Sequence, residues 1–212
     1  MGVSFYDEWE KPEYENLANI AENLVYRLPG CTDVMIRKTI ASVYRDFCKR
    51  TCVIKTRRRV CIEHGKHRYP LVAVVQDCVI DCICDITREN GAPFDGRGGE
   101  YSIEGADTIM LPDRLLPNEG EKSLIEVTCI EIPKLSSERA PQLFIERYGD
   151  AIESGVLMKL MIMSGRPWSD PQQAAQEARA YENALTETRV RYHGGGNLTP
   201  GKLNFIKKGI IV

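Results

Sequence analysis

An excess of charge of one sign, a long apolar run and paired cysteine motifs are all missing from this sequence, and each absence excludes something. Lys and Arg total 28 against 30 Asp and Glu, a formal charge of −2. A dedicated nucleic-acid binder usually shows a strong basic excess or one basic face, so a DNA-gripping role is disfavoured. No apolar stretch approaches the roughly 20 residues that cross a bilayer, so no membrane partner is expected. The opening Met1-Gly2-Val3-Ser4-Phe5-Tyr6 soon turns acidic at Asp7 and Glu8. It carries neither a signal-peptide core nor the Ser or Thr of a myristoylation site, and the expectation is a protein that stays where it is made.

The eight cysteines, at positions 31, 48, 52, 61, 78, 82, 84 and 129, contain no Cys-x-x-Cys pair, so the strong structural-zinc pattern is absent. Their spacing supplies another reading. Cys78, Ile80, Cys82, Cys84 and Ile86 fall on one face of a period-two strand, where a free thiol acts as a small hydrophobe. Reduced, buried thiols and a reducing compartment during folding are expected.

What is present is a clear sequence of periods. Apolar residues at Leu17, Ile20, Ala21 and Leu24 mark a helix over 13–27, ended by Leu28-Pro29-Gly30. Thr32 or Asp33 can cap a second helix, 33–49, striped by Ile36, Ile40, Val43, Tyr44 and Phe47. From residue 51 to about 132 the period becomes alternating, with strand candidates around Cys52-Val53-Ile54 and Val60-Cys61-Ile62 and over 72–75, 78–86, 108–111 and 124–132. His64-Gly65 and Asn90-Gly91 provide turn chemistry, and the glycine-rich loop 87–100 is long enough to carry contacts. Two further helices follow. Phe144, Tyr148, Ile152, Val156, Leu160 and Met163 stripe the first, over 143–163, and Ala174, Ala178, Tyr181 and Leu185 the second, over 171–192. Gly165-Arg166-Pro167-Trp168-Ser169-Asp170-Pro171 joins them. Gly165 ends one helix, Asp170 caps the next with Pro171 at its first position, and Trp168 packs in the corner. The fold class is therefore α+β: N-terminal helices, a small central antiparallel sheet or sandwich, a C-terminal helical hairpin and an extended tail. The domain occupies 13–193, between an N-terminal arm over 1–12 and a C-terminal arm over 194–212. That last arm opens with Gly194-Gly195-Gly196, a flexible hinge, and continues with Leu198, Leu203, Phe205, Ile206, Ile210, Ile211 and Val212. It is too apolar for a linker, and it either packs back as a last strand or adds to a partner's surface.

No catalytic constellation and no cofactor motif emerges. Glu63-His64-x-x-His67 is the nearest approach to a metal cluster, but it sits in a hairpin turn and reads as solvated. Asp81 and Asp85, four apart on one strand face, read as its wet side. The glycines around Arg97 lack the Gly-Lys-Ser or Gly-Lys-Thr of a phosphate loop. Lys55-Thr56-Arg57-Arg58-Arg59 could meet DNA phosphates, a partner's acids or only water.

Several of these stretches together resemble the head-to-tail adaptor, or connector, proteins of tailed bacteriophages. Leu28-Pro29-Gly30-Cys31-Thr32-Asp33, Ile36-Arg37-Lys38-Thr39-Ile40 and Arg45-Asp46-Phe47-Cys48-Lys49-Arg50-Thr51 carry the first part of the likeness. Glu131-Ile132-Pro133-Lys134, the run from Arg147 through Gly149 to Leu157, and Gly165 to Pro171 carry the second, more specific part. The resemblance spans most of the chain, although the sheet region matches in layout more than in residues. It implies a non-enzymatic virion subunit, made in the host bacterial cytoplasm and placed at the head–tail interface. Such subunits form a ring, commonly a dodecamer, that docks on the portal protein, meets a downstream tail or nozzle protein, and lets DNA pass through unread. Under that reading Leu198, Leu203, Phe205, Ile206, Ile210, Ile211 and Val212 are expected to touch the portal or a neighbouring subunit. Arg57, Arg58, Arg59, Phe94 and Arg97 are expected at subunit or tail contacts. The alternatives are a tail-tube or nozzle subunit, a metal-binding enzyme using His64, His67 and the cysteines, and a DNA-binding accessory protein using residues 55–59.

Overall fold

The helical stripes build one core, which Val53, Ile54, Val75 and Cys78 of the alternating region join, and the other alternating segments build a second. The computed structural model describes residues 13–88, 91, 92, 94 and 101–193. The two arms and Arg97, with their expected contacts, lie outside the described residues. In chain order the elements are β1 (Tyr14–Asn16), α1 (Ala18–Arg27), α2 (Asp33–Thr51), β2 (Lys55–Glu63), β3 (Arg68–Pro70), β4 (Cys78–Arg88), β5 (Ser102–Glu104) and β6 (Thr108–Met110). A 3-10 turn (Asp113–Leu115), β7 (Lys122–Pro133), β8 (Arg139–Pro141), α3 (Gln142–Met161) and α4 (Pro171–His193) complete the described elements. The class is α+β, and the strand pairs are antiparallel.

The first core joins the four helices. Ile20 and Leu24 of α1, Ile36, Ile40, Tyr44 and Phe47 of α2, Phe144, Tyr148, Ile152 and Val156 of α3, and Tyr181 and Leu185 of α4 are all buried in one cluster. Aromatic rings knit it together, with Tyr44 and Phe144 centroids 4.7 Å apart and Phe47 and Tyr148 5.1 Å apart. Trp168 is buried in the same cluster, as the corner reading expects. Asp170 Oδ1 accepts the Gln173 N–H at 2.9 Å, the cap that starts α4. Gly155 is where three helices meet: a Cβ built there would lie 2.6 Å from Val43 Cγ1 and 2.9 Å from Tyr181 Cε2.

The second core lies between two three-stranded sheets, ordered β2-β7-β4 and β3-β6-β5. Ile62, Tyr69, Ile80, Ile86, Ile109, Ile125, Val127 and Cys129 fill it. A two-stranded pair, β1 with β8, ties the start of the chain to the segment before α3.

Several expectations need correction. The first helix does not begin at 13. Residues 14–16 pair with β8, and α1 starts only after Asn16 Oδ1 accepts the Ala18 N–H at 2.8 Å. Thr32 occupies the N-cap of α2 but its side chain makes no capping bond, while Asp33 pairs with Arg37 at 2.7 Å. Segment 72–75 is an irregular loop, in which the Val74 and Val75 amides are taken by the Glu131 carboxylate instead of a neighbouring strand. The alternation of β4 is also broken. Register shifts lie between Ile80 and Cys82 and between Ile83 and Asp85, so Cys84 is exposed although Cys78 and Ile86 are buried. Of the eight thiols only Cys48, Cys78 and Cys129 are buried; all eight are free.

Candidate functional site

Three consecutive arginines on a strand cannot share a face, and the pleat of β2 separates them. Arg57 and Arg59 project to the outer face of the β2-β7-β4 sheet, where Glu126 lies 3.5 Å from Arg57 and 3.3 Å from Arg59. These pairs are solvent-washed and contribute little to stability. Arg58 turns inward. It meets the carboxylate of Glu131 at 2.5 Å and donates to Thr56 Oγ1 at 2.9 Å and to the Val72 carbonyl.

Glu131 is 0% exposed and fully engaged. Beyond the guanidinium it accepts the Thr56 hydroxyl at 2.6 Å and the Val74 and Val75 amides, each at 2.9 Å. A buried carboxylate with one cation and three neutral donors is compensated, whereas the same group without Arg58 would be a stranded charge. The cluster also clamps the loop over 71–77. Tyr14 Oη accepts the Gln76 N–H at 2.7 Å, the Asp107 carbonyl accepts the Leu71 N–H at 2.8 Å, and the Asp77 carbonyl accepts the Lys134 N–H at 2.8 Å. The loop is thus fixed from four sides. Its apolar side chains nevertheless face water: Val72 is 81% and Val74 43% exposed, and Val79 at the start of β4 is 36% exposed. Together with Asp107 and Lys134, residues 71–80 wall a surface groove of about 470 Å³.

Two residues expected at partner contacts are therefore corrected. Arg58 is held by Glu131 and a loop carbonyl inside the fold. Phe94 is 1% exposed in the sheet core, with the Arg88 guanidinium 5.5 Å from its ring. Burial of its apolar ring, not recognition, accounts for its position. Arg57 and Arg59 do face outward.

The other polar candidates are occupied locally. His64 Nδ1 lies 3.1 Å from the Pro117 carbonyl and His67 Nδ1 2.9 Å from that of Leu111. Among the described residues no group of three His, Cys, Asp or Glu side chains could hold a metal ion. Burial pushes the Cys48 thiol well up, Cys78 up to about 12 and Cys129 up to about 11. A hydrogen bond with Cys82, then burial, raises Cys84 as well. Thiols raised in this way stay protonated at neutral pH, which makes them poor nucleophiles and poor ligands.

Sequence reasoning met Glu131, Thr56 and the valines of 72–75 only as members of longer stretches and assigned them no part in a site. A signal existed. Glu131 stands in the apolar run Val127-Thr128-Cys129-Ile130-Glu131-Ile132, and a carboxylate buried there must find a cation, which a neighbouring strand of arginines supplies.

No protein-family model matches this chain, and a search of curated proteins finds no match to it.

Proposed function

We propose that this chain is a structural subunit of a tailed-phage virion that forms a ring beneath the portal and joins head to tail. The observation that carries the reading is that the stretches bearing the resemblance converge in space. A Cβ at Gly30 would lie 3.8 Å from Pro167 Cγ, so the corner after α1 rests on the corner between α3 and α4. Phe47 and Tyr148, one in each part of the likeness, pack with ring centroids 5.1 Å apart. The residues from Arg45 to Thr51 form the end of α2, from which the Arg45 guanidinium donates to the Pro133 carbonyl. Stretches far apart in sequence thus make one continuous frame.

The rest of the molecule is compatible with that role. A rigid helical frame carries a sheet module with a clamped apolar loop, and the near-neutral charge suits a channel that DNA crosses without being held. Heterologous contacts, in which one patch meets a different patch on the next copy, close into rings. The test is to mix the purified chain with the portal assembly of its own phage and image the product by electron microscopy. An added ring with one copy per portal subunit is the expected result. No association at micromolar concentration would overturn the reading, and end-to-end tubes without portal would favour the tail-tube subunit.

A further inference from the structure

We propose that the groove between loop 71–77 and the start of β4 receives residues 203–212 of a neighbouring copy as an added strand. The inference rests on the ring-subunit reading and names a contact that links one copy to the next.

The acceptor is built for an extended segment. β4 pairs with β7 along one side; Ala92 and Phe94 bond to Arg88 and Ile86 at its far end, but at its start, among the described residues, no strand pairs with the other side. An open strand edge is a template for a further strand, whose backbone supplies affinity while side-chain pockets supply selectivity. The exposed apolar side chains Val72, Val74 and Val79 line the groove together with the polar Gln76, Asp77, Asp107 and Lys134, a mixture suited to an interaction surface. The loop needs no ordering on contact, because Glu131 and Arg58 already hold it. Preorganisation of this kind removes an entropic penalty from association.

The occupant follows from charge, composition and reach. Leu203-Asn204-Phe205-Ile206-Lys207-Lys208-Gly209-Ile210-Ile211-Val212 is apolar, carries two lysines and contains no acid. The groove offers the complement: Asp77 and Asp107 in its lining against a single Lys134. Between His193, the last residue of α4, and Leu203 run nine residues, which when extended reach at most about 30 Å. A segment on one copy and a groove on the next is a heterologous contact, which repeats around a ring.

The experiment uses the full chain with a photoreactive phenylalanine analogue in place of Phe205, mixed with an isotopically heavy preparation, both free and assembled on the portal. Cross-links from position 205 to residues 71–80 in light–heavy pairs are expected. Val74→Lys with Val79→Lys should reduce their yield more than tenfold; both side chains are exposed, so the melting curve should stay unchanged. Cross-links only within one copy, only to the portal, or only elsewhere on the chain would each overturn the proposal. The two readings also fail separately. Normal portal rings from the double lysine variant, without 71–80 cross-links, would sink the groove contact and leave the ring subunit standing. Light–heavy groove cross-links from a chain that never docks on a portal would do the reverse.

Discussion

Glu131 and Glu126 lie on one strand, and each meets arginines of β2, but their surroundings give the two sets of pairs different weights. Loss of charge at Glu131 strands Arg58 and loosens two loop amides, so Glu131→Gln should destabilise by about 3–5 kcal/mol in urea denaturation. Arg59→Ala removes only a solvent-washed pair, and a change of about 0–1 kcal/mol is expected. Equal effects would mean that the inner cluster does not clamp the loop. The thiols give a second test at this scale. Cys78 and Cys129 are raised to about 12 and about 11 in the folded chain by burial, against about 8.5 unfolded. The unfolded state therefore loses its thiol protons first as pH rises. The stabilisation is complete below about pH 8.5 and drains away between there and the folded values. Under reducing conditions the wild-type chain should lose stability across this window more steeply than Cys78→Ala; parallel profiles would contradict the assignment.

At the level of elements, α3 shows sterics outweighing propensity. Replacing a glycine inside a helix by alanine ordinarily stabilises by up to about 1 kcal/mol. At Gly155 the new Cβ would sit 2.6 Å from Val43 Cγ1, and overpacking of this kind costs about 1–3 kcal/mol. Gly155→Ala should thus lower the denaturation midpoint, and a raised midpoint would show that the helices can separate without penalty. The elements also differ in how far they could be read beforehand. Long stripes such as Ile36, Ile40, Tyr44 and Phe47 repeat one period often enough to define a helix and its buried face. Asp170-Pro171 marked the start of α4 because a cap and a first-turn proline are local chemistry. Among the three-residue strands described, β6 falls in the expected segment 108–111, whereas β1, β3, β5 and β8 carry no usable period of their own and are defined only by pairing across the chain. The breaks in β4 were hidden for a related reason, since a bulge is a property of two strands and one sequence shows only its own alternation. Arg57 and Arg59 were legible as outward charges. Arg58 was not distinguishable from them until Glu131 appeared opposite its inward face.

For the molecule as a whole, the arrangement of the two cores matters most. The main sheet strands are contiguous in sequence between Lys55 and Pro133, while the helical core is assembled from both ends of the described chain. The seam between those ends is explicit: the Glu138 carbonyl accepts the Leu17 N–H at 3.0 Å and the Glu13 carbonyl accepts the Gln142 N–H at 2.8 Å. This wiring sets a timetable on the ribosome. The α1–α2 pair emerges with Tyr44 and Phe47 bare, and their partners Phe144 and Tyr148 are made only after the whole sheet module. A nascent chain stalled after Pro133 should be held by chaperones that bind apolar surface, and one stalled well past His193 should not; equal capture of both would contradict this order. A premature stop inside the sheet module therefore leaves an adhesive fragment, not a smaller working protein.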